Sequence, residues 1–175
     1  MAPRDAIVTP RLRLVSLVPA ALEMLLDDNI YGASKAQGFV FSDEFLGSIN
    51  HAFLEKQLTG IRRAPLTPGW FVRAIRRQDD DVLIGHCGFH GAPKDVGRAE
   101  IGYTVFARFR RQGYGAEAAL GLVEWARTQG SPVVFATVSS TNAASLGLVT
   151  KLGFRRTGQQ HDGDDGEEIV FEIGP

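Results

Sequence analysis

The chain has almost no cysteine: Cys87 stands alone among 175 residues. One thiol cannot close an internal disulfide. Histidine is sparse as well, with four residues at scattered positions, and nothing in their spacing suits a metal ion, so no metal site is expected. No apolar run reaches membrane length, and no membrane partner is expected. The opening Met-Ala-Pro-Arg-Asp-Ala carries no apolar signal core, and the default expectation is a cytoplasmic protein. Charge of one sign is lacking too. The net charge is −1, from 19 basic and 20 acidic residues. That balance excludes a general polyanion-binding surface, and nucleic acid is not an expected partner. Two phosphate-binding strings are also missing. There is no Gly-x-x-x-x-Gly-Lys-Ser/Thr loop and no complete Gly-x-Gly-x-x-Gly after a first strand.

With 44% hydrophobic and 22% charged residues, the composition is that of an ordinary globular domain with a real core. A single domain over 1–175 is expected, with 1–9 as a loose tail. The basic residues cluster at 108–111, 73–77 and 62–63. Local clustering favours a small anionic ligand.

The organising stretch is 100–116. Ile101, Tyr103 and Val105 alternate with Gly102, Thr104 and Phe106, which predicts a strand. Arg110, Arg111, Gln112, Gly113, Tyr114 and Gly115 make a tight basic turn. From Ala116 a helix is predicted, with Ala116, Ala119, Leu120 and Val123 as its buried stripe. A glycine turn at a helix N-terminus aims several free N–H groups at one spot, and the helix dipole adds positive charge there. Phosphate or pyrophosphate suits such a site. The plain alternative is a strand-to-helix turn with two solvated arginines.

Before this stretch, 11–15 alternates as a first strand. A helix opens at Pro19. The segment 21–60 reads as two helices with a mobile connection, and Tyr31, Phe39, Phe41 and Phe45 fit no single period. Residues 62–68 form a loop, 70–76 a strand, Asp79 to Asp81 a hairpin turn and 82–90 the next strand. A turn over 91–97 leads into the central strand, so three consecutive strands form an antiparallel meander. After the helix, which runs to 129, Gly130 and Pro132 stop it. A buried strand follows over 133–138. Asn142 caps a short helix over 143–152, and Gly153 ends it. Segments 154–157 and 168–173 close the sheet as a hairpin with a mobile loop at 158–167.

Two strings carry a resemblance. Arg110-x-x-Gly113-x-Gly115, flanked by Glu100-Ile101-Gly102-Tyr103 and Ala116-Glu117-Ala118, resembles the acyl-CoA loop of the GNAT N-acetyltransferases. Its wording is most similar to the subgroup that acetylates ribosomal-protein N-termini (RimJ/RimL-like). Downstream, Asn142-Ala143-Ala144-Ser145 and then Lys151-Leu152-Gly153-Phe154 is similar to the family's second motif. Order and separation agree, and the two motifs cover about 98–156. The resemblance implies a mixed α/β acetyltransferase fold, mostly antiparallel and flanked by helices, in the order βαα-βββ-α-β-α-ββ.

It also implies acetyl-CoA as co-substrate. The pyrophosphate would sit on N–H groups of Arg111, Gln112, Gly113, Tyr114, Gly115 and Ala116, with Arg110 or Arg111 adding charge. The pantetheine arm would pair with backbone near Thr104, Val105 and Phe106. A backbone N–H near Val105 or Phe106 would hold the oxyanion. Asn142 would cap its helix and bind the arm.

A primary amine must lose a proton to attack. Glu100 is the first candidate base; a surface carboxylate paired with Arg98 is its plain alternative. Asp43, Glu44 and Asp164 are further carboxylates near the expected acceptor mouth. Many family members carry a tyrosine seven residues after the motif asparagine. Here that position is Val149. The ribosomal subgroup implies Ser145 instead, as hydrogen-bond partner of the CoA sulfur; a plain first-turn helix serine is the alternative. Cys87 reads as core, and His86 and His90 read as structural, with reach toward the acceptor side. No activated nucleophile stands out, so direct transfer in a ternary complex is expected. The competing readings are a non-catalytic acyl-CoA sensor and a phosphate-binding domain unrelated to CoA. The acceptor is an open choice between a protein N-terminus and a small-molecule amine, and a homodimer is expected on general grounds.

Overall fold

The computed structural model describes residues 6–93, 97–162 and 166–175. Eight strands form one sheet in the order β1-β2-β3-β4-β5-β6-β8-β7. They are β1 (Ala6–Val8), β2 (Leu12–Ser16), β3 (Val72–Arg77), β4 (Leu83–Phe89), β5 (Arg98–Val105), β6 (Val133–Ser139), β7 (Arg155–Asp162) and β8 (Gly166–Ile173). Neighbours run antiparallel, except for the parallel pair β5–β6. The meander β3-β4-β5 is as the sequence predicts.

Four helices, not two, fill the segment after β2: α1 (Pro19–Leu26), α2 (Ile30–Gln37), α3 (Asp43–Ser48) and α4 (His51–Arg63). The extra breaks are capped. The Asn29 side chain accepts from the Gly32 N–H, and the Asn50 side chain accepts from the Phe53 N–H. Each amide satisfies a donor that the helix start leaves open. Phe41 and Phe45, which had no common period, are both buried and meet edge to face at 4.8 Å. They sit on different elements, so no period could join them.

The N-terminal segment corrects a second expectation. Ala6–Val8 is a strand, paired with Val15 to Arg13 of β2. Its one core side chain, Ile7, is too little for a periodic signal. The predicted strand over 70–76 begins later, because Pro68–Trp70 is a 3-10 turn. The closing hairpin is longer than expected, since 158–162 belong to β7 and Gly166 opens β8.

Helix α5 (Tyr114–Thr128) starts two residues before the predicted Ala116. Its buried stripe is Tyr114, Ala118, Leu122 and Ala126, with Ala119 and Val123 beside it, whereas Leu120 is exposed. Ala119 and Val123 of the expected stripe are buried, while Leu120 is exposed and Ala116 half-buried, so the buried face is centred on 118, 122 and 126 instead. Gly130 closes α5 at φ +84, with the Ser131 N–H bonded to the Ala126 carbonyl. Helix α6 (Ala143–Lys151) ends the same way at Gly153, where the Phe154 N–H reaches the Val149 carbonyl. Both are left-handed glycine caps. Trp125 of α5 packs on Phe89 and Trp70 at 5.3 and 4.8 Å, tying the helix to β4. Arg73 is fully buried there, donating to the Leu14 and Gly69 carbonyls at 3.1 and 3.0 Å.

Candidate active site

The site begins where the sheet opens. β5 pairs with β6 only at Arg98, Ala99 and Glu100, while its other edge stays paired with β4 as far as Val105. Beyond Glu100 the two strands part. A cavity of about 290 Å³ fills the gap, bounded by β4, β5, β6, the α3–α4 connection and the start of α6.

Backbone groups of β5 line one edge of the gap. The Glu100 carbonyl accepts from the His90 N–H at 3.1 Å, and the Phe106 N–H donates to the Ile84 carbonyl at 2.9 Å. Even-numbered residues therefore bond to β4. By the alternation of an antiparallel ladder, the N–H and C=O of Tyr103 and Val105 face the gap. Phe106 is thereby corrected as a backbone donor. Its N–H is taken by β4 and its carbonyl by the Phe109 N–H at 2.9 Å. Thr104 is corrected in the same way, since its backbone groups face β4 opposite His86, though the residue lines the cavity.

The loop after β5 is held in left-handed turns, with Arg111 at φ +60 and Gly113 at φ +82. A β-carbon at Gly113 would stand 3.2 Å from Arg11 Nη2. From Arg111 to Ala116, no backbone N–H has an acceptor among the described residues. Six orphan donors at the start of a fifteen-residue helix fit a diphosphate. Arg110 is spent differently from expectation: its Nε donates to the Val105 carbonyl at 2.9 Å and so pins the end of β5. Arg111 is exposed beside the donors. The Tyr114 ring is buried under the Arg11 guanidinium, 4.5 Å away, so only its backbone serves the loop. Gly115 has a packing reason beyond access to a ligand: a β-carbon there would meet Leu148 at 3.3 Å and the Tyr103 ring at 3.8 Å.

Glu100 is not paired with Arg98, which bonds Glu172 at 2.5 Å. Instead its Oε1 accepts from Thr137 Oγ1 at 2.9 Å and lies 3.3 Å from His90 Nδ1. Burial pushes the carboxyl upward, but the contacts with His90 and Thr137 outweigh it, and the net shift is downward. His90 and Thr137 both line the cavity, and His90 Nε2 sits over the Cα of Gly102. Neither was singled out as Glu100's partner from sequence, because 90, 100 and 137 meet only through the sheet. His86 is half-buried, and desolvation holds its pKa down, with Nε2 3.1 Å from the Ser48 carbonyl. It joins β4 to the end of α3, a structural post.

Asp43 and Glu44 open α3 outside the cavity lining, and Glu44 pairs with Arg108 at 3.3 Å. Asp164 lies outside the described residues. On the far side of the gap, the Asn142 side chain accepts from the Ser145 N–H at 3.1 Å, the expected helix cap, and both residues line the cavity. Val149 is buried. Cys87 is buried in β4, and desolvation pushes its thiol up to about 12, which removes it as a nucleophile.

A gap between splayed parallel strands, beside a glycine turn with orphan donors, is the arrangement of a CoA-dependent acyl-transfer fold. The GNAT acetyltransferase domain matches residues 11–155, and the chain belongs to that family. The uncharacterized N-acetyltransferase YoaA of Bacillus subtilis is 35% identical over 85 residues, 48% of each chain. An L-methionine sulfoximine/L-methionine sulfone acetyltransferase of Pseudomonas aeruginosa is 41% identical over 64 residues, 35% of this chain and 37% of that one. The chain thus spans about half or less of the curated relatives it matches. In fold it resembles RimL, a ribosomal-protein alpha-N-acetyltransferase solved with coenzyme A, at TM-score 0.66 and 16% identity, over 97% of this chain and 98% of that one. The acetyltransferase of Agrobacterium tumefaciens gives TM-score 0.64 and 20% identity over 97% and 94%. Among the described residues, no helix is long and apolar enough to cross a membrane.

Proposed function

We propose that the protein transfers an acetyl group from acetyl-CoA to a primary amine, by direct attack in a ternary complex. The observation that carries this reading is the junction of two features. Six orphan N–H donors at 111–116 stand next to a strand edge that faces the gap at Tyr103 and at the Val105 N–H, the Val105 carbonyl being held by Arg110 Nε. The first holds a diphosphate, and the second pairs with an amide-bearing arm. The edge N–H groups also supply a preorganised donor for the thioester oxygen as it becomes an oxyanion.

Glu100, as oriented by Thr137 and His90, receives the proton of the attacking amine, directly or through one water. Its lowered pKa keeps it ionised at neutral pH and so ready to accept. It is a mild base, suited to an amine that has already lost its extra proton. No covalent acyl-enzyme is needed, and buried Cys87 cannot supply one. A ribosomal-protein N-terminus, as for RimL, and a small amino-acid amine, as for the Pseudomonas relative, are the two acceptor classes that the comparisons suggest.

Calorimetric titration with acetyl-CoA, with ATP as control, tests the co-substrate. Selective binding is expected; a preference for ATP overturns it. Release of CoA thiol across an amine panel then tests transfer. Binding without turnover on any amine would mark an acyl-CoA sensor instead.

A further inference from the structure

The hydroxyl of Tyr103 is buried and has no hydrogen-bond partner among the described residues. A buried hydroxyl without a partner has lost its hydration with nothing in return, so it calls for an explanation. Tyr103 belongs to β5 and lines the gap. Its ring lies over Gly115 at the start of α5, beside Leu148 of α6. Side chains alternate along a strand, so Tyr103 and Glu100 project from opposite faces of β5. Glu100 looks toward His90 and Thr137. Tyr103 looks toward α6, where the Ser145 hydroxyl faces it without reaching full hydrogen-bond geometry.

The two sides of the gap thus differ in kind. On one, His90 and Thr137 line the cavity, and the Glu100 carboxylate stands behind them in contact with both. The other holds two hydroxyls, one of them unsatisfied, and among the described residues no charged group lines the cavity on that side. Burial also lifts the Tyr103 phenol above its usual value, with Ser145 offsetting part of the rise. A phenol raised above its ordinary value is a weaker acid than an ordinary thiol. It gives up its proton to a thiolate only uphill. It can, however, donate a hydrogen bond at every working pH.

Resting on the acetyl-transfer reading, we propose that Tyr103 is the anion-stabilising donor for the leaving sulfur: its O–H bonds the developing thiolate and keeps its own proton. The amine nitrogen forms the new bond to the acyl carbon, and the carbon–sulfur bond breaks. Its electron pair goes to sulfur, under the Tyr103 O–H. The amine's proton goes to Glu100 and on to solvent. The thiolate takes a proton from water on release, which balances the exchange. Ser145 flanks the same sulfur and positions it. The unmet hydroxyl of Tyr103 is then satisfied only when sulfur is bound.

Tyr103→Phe keeps the ring on Gly115 and removes the donor. Three readouts test it on the full chain. Turnover is expected to fall roughly 10- to 100-fold with little change in KM for acetyl-CoA. CoA is expected to bind the native protein about fivefold more tightly than desulfo-CoA, a preference lost in the variant. The bound CoA thiol, followed by thiolate ultraviolet absorbance against a desulfo-CoA blank, is expected to ionise at lower pH on the native protein than on Tyr103→Phe. Native turnover and an unmoved thiol titration in Tyr103→Phe would overturn the proposal. So would a titration shift that vanishes in Ser145→Ala but survives in Tyr103→Phe, since Ser145 would then be the donor. A native protein that binds CoA and desulfo-CoA equally overturns the proposal while leaving acetyl transfer standing. One that binds neither overturns both.

Discussion

Arg11 Nε lies 2.7 Å from Glu117 Oε2, joining residues 106 positions apart. The other carboxylate oxygen accepts from the Arg11 N–H at 2.7 Å and from Thr9 Oγ1 at 2.6 Å. Arg11 Nη1 also donates to the Gln112 carbonyl at 3.0 Å. One arginine between the first two strands therefore grips both the turn and the first helical turn that present the orphan donors.

Arg11→Ala should therefore loosen the turn without touching Glu100 or Tyr103. Affinity for CoA is expected to fall about tenfold, with kcat nearly unchanged, because a preorganised anion site loses its brace. Arg11 is half exposed, so the stability loss should stay near 1 kcal/mol. Calorimetry and saturation kinetics check the split; a loss of kcat at unchanged affinity would refute it.

Glu117 predicts an acid-side loss of stability. Burial raises its pKa, but the hydrogen bonds from Thr9 and Arg11 win, and the net shift is downward from 4.5. A carboxyl depressed by folding contributes stability that is fully present above its unfolded pKa. That contribution is lost as pH falls through the folded value. Melting temperature should drop below the ordinary carboxylate range, and Glu117→Gln should lower it at neutral pH while flattening this acid drop. A variant with the native acid profile would show that Glu117 does not contribute it.

Glu100→Gln should lower kcat about 100-fold. Because the carboxyl titrates below its usual range, it is ionised throughout neutral pH. The profile between pH 6 and 9 should thus fall bodily and keep its shape. A changed slope there would move the base role to another group.

Gly113→Asp should abolish CoA binding. Its left-handed backbone and the 3.2 Å approach to Arg11 Nη2 leave little room for a side chain, and the carboxylate repels a diphosphate. Gly113→Ala carries the strain without the charge, about 1 kcal/mol. Circular dichroism and calorimetry on both variants separate the effects. CoA affinity retained in Gly113→Asp would remove the loop from the site.

Local physics was legible in the linear chain. Asn142 and Gly153 bracket α6 because a side-chain cap and a left-handed stop act within a few residues. The basic glycine turn, the meander and the alternation of β5 are likewise short-range patterns. What failed was phase and length: the buried face of α5, the four short helices after β2, and β1. A helix's period is written in its sequence, but the core decides which row it buries.

The site divides the same way. Residue types and spacing alone determined that 111–116 would offer a cluster of unmet donors, since a helix start must leave them open wherever it lies. Only the tertiary structure decided what stands across the gap. Parting β5 from β6 after Glu100 places Thr137 and His90 on its carboxylate and leaves the Tyr103 hydroxyl opposite, facing Ser145. Those residues come from the turn just after β4 and from β5, β6 and α6, and their meeting is a consequence of strand order and register. No window along the chain contains it, because hydrogen bonds between strands, rather than sequence separation, set which side chains share a face.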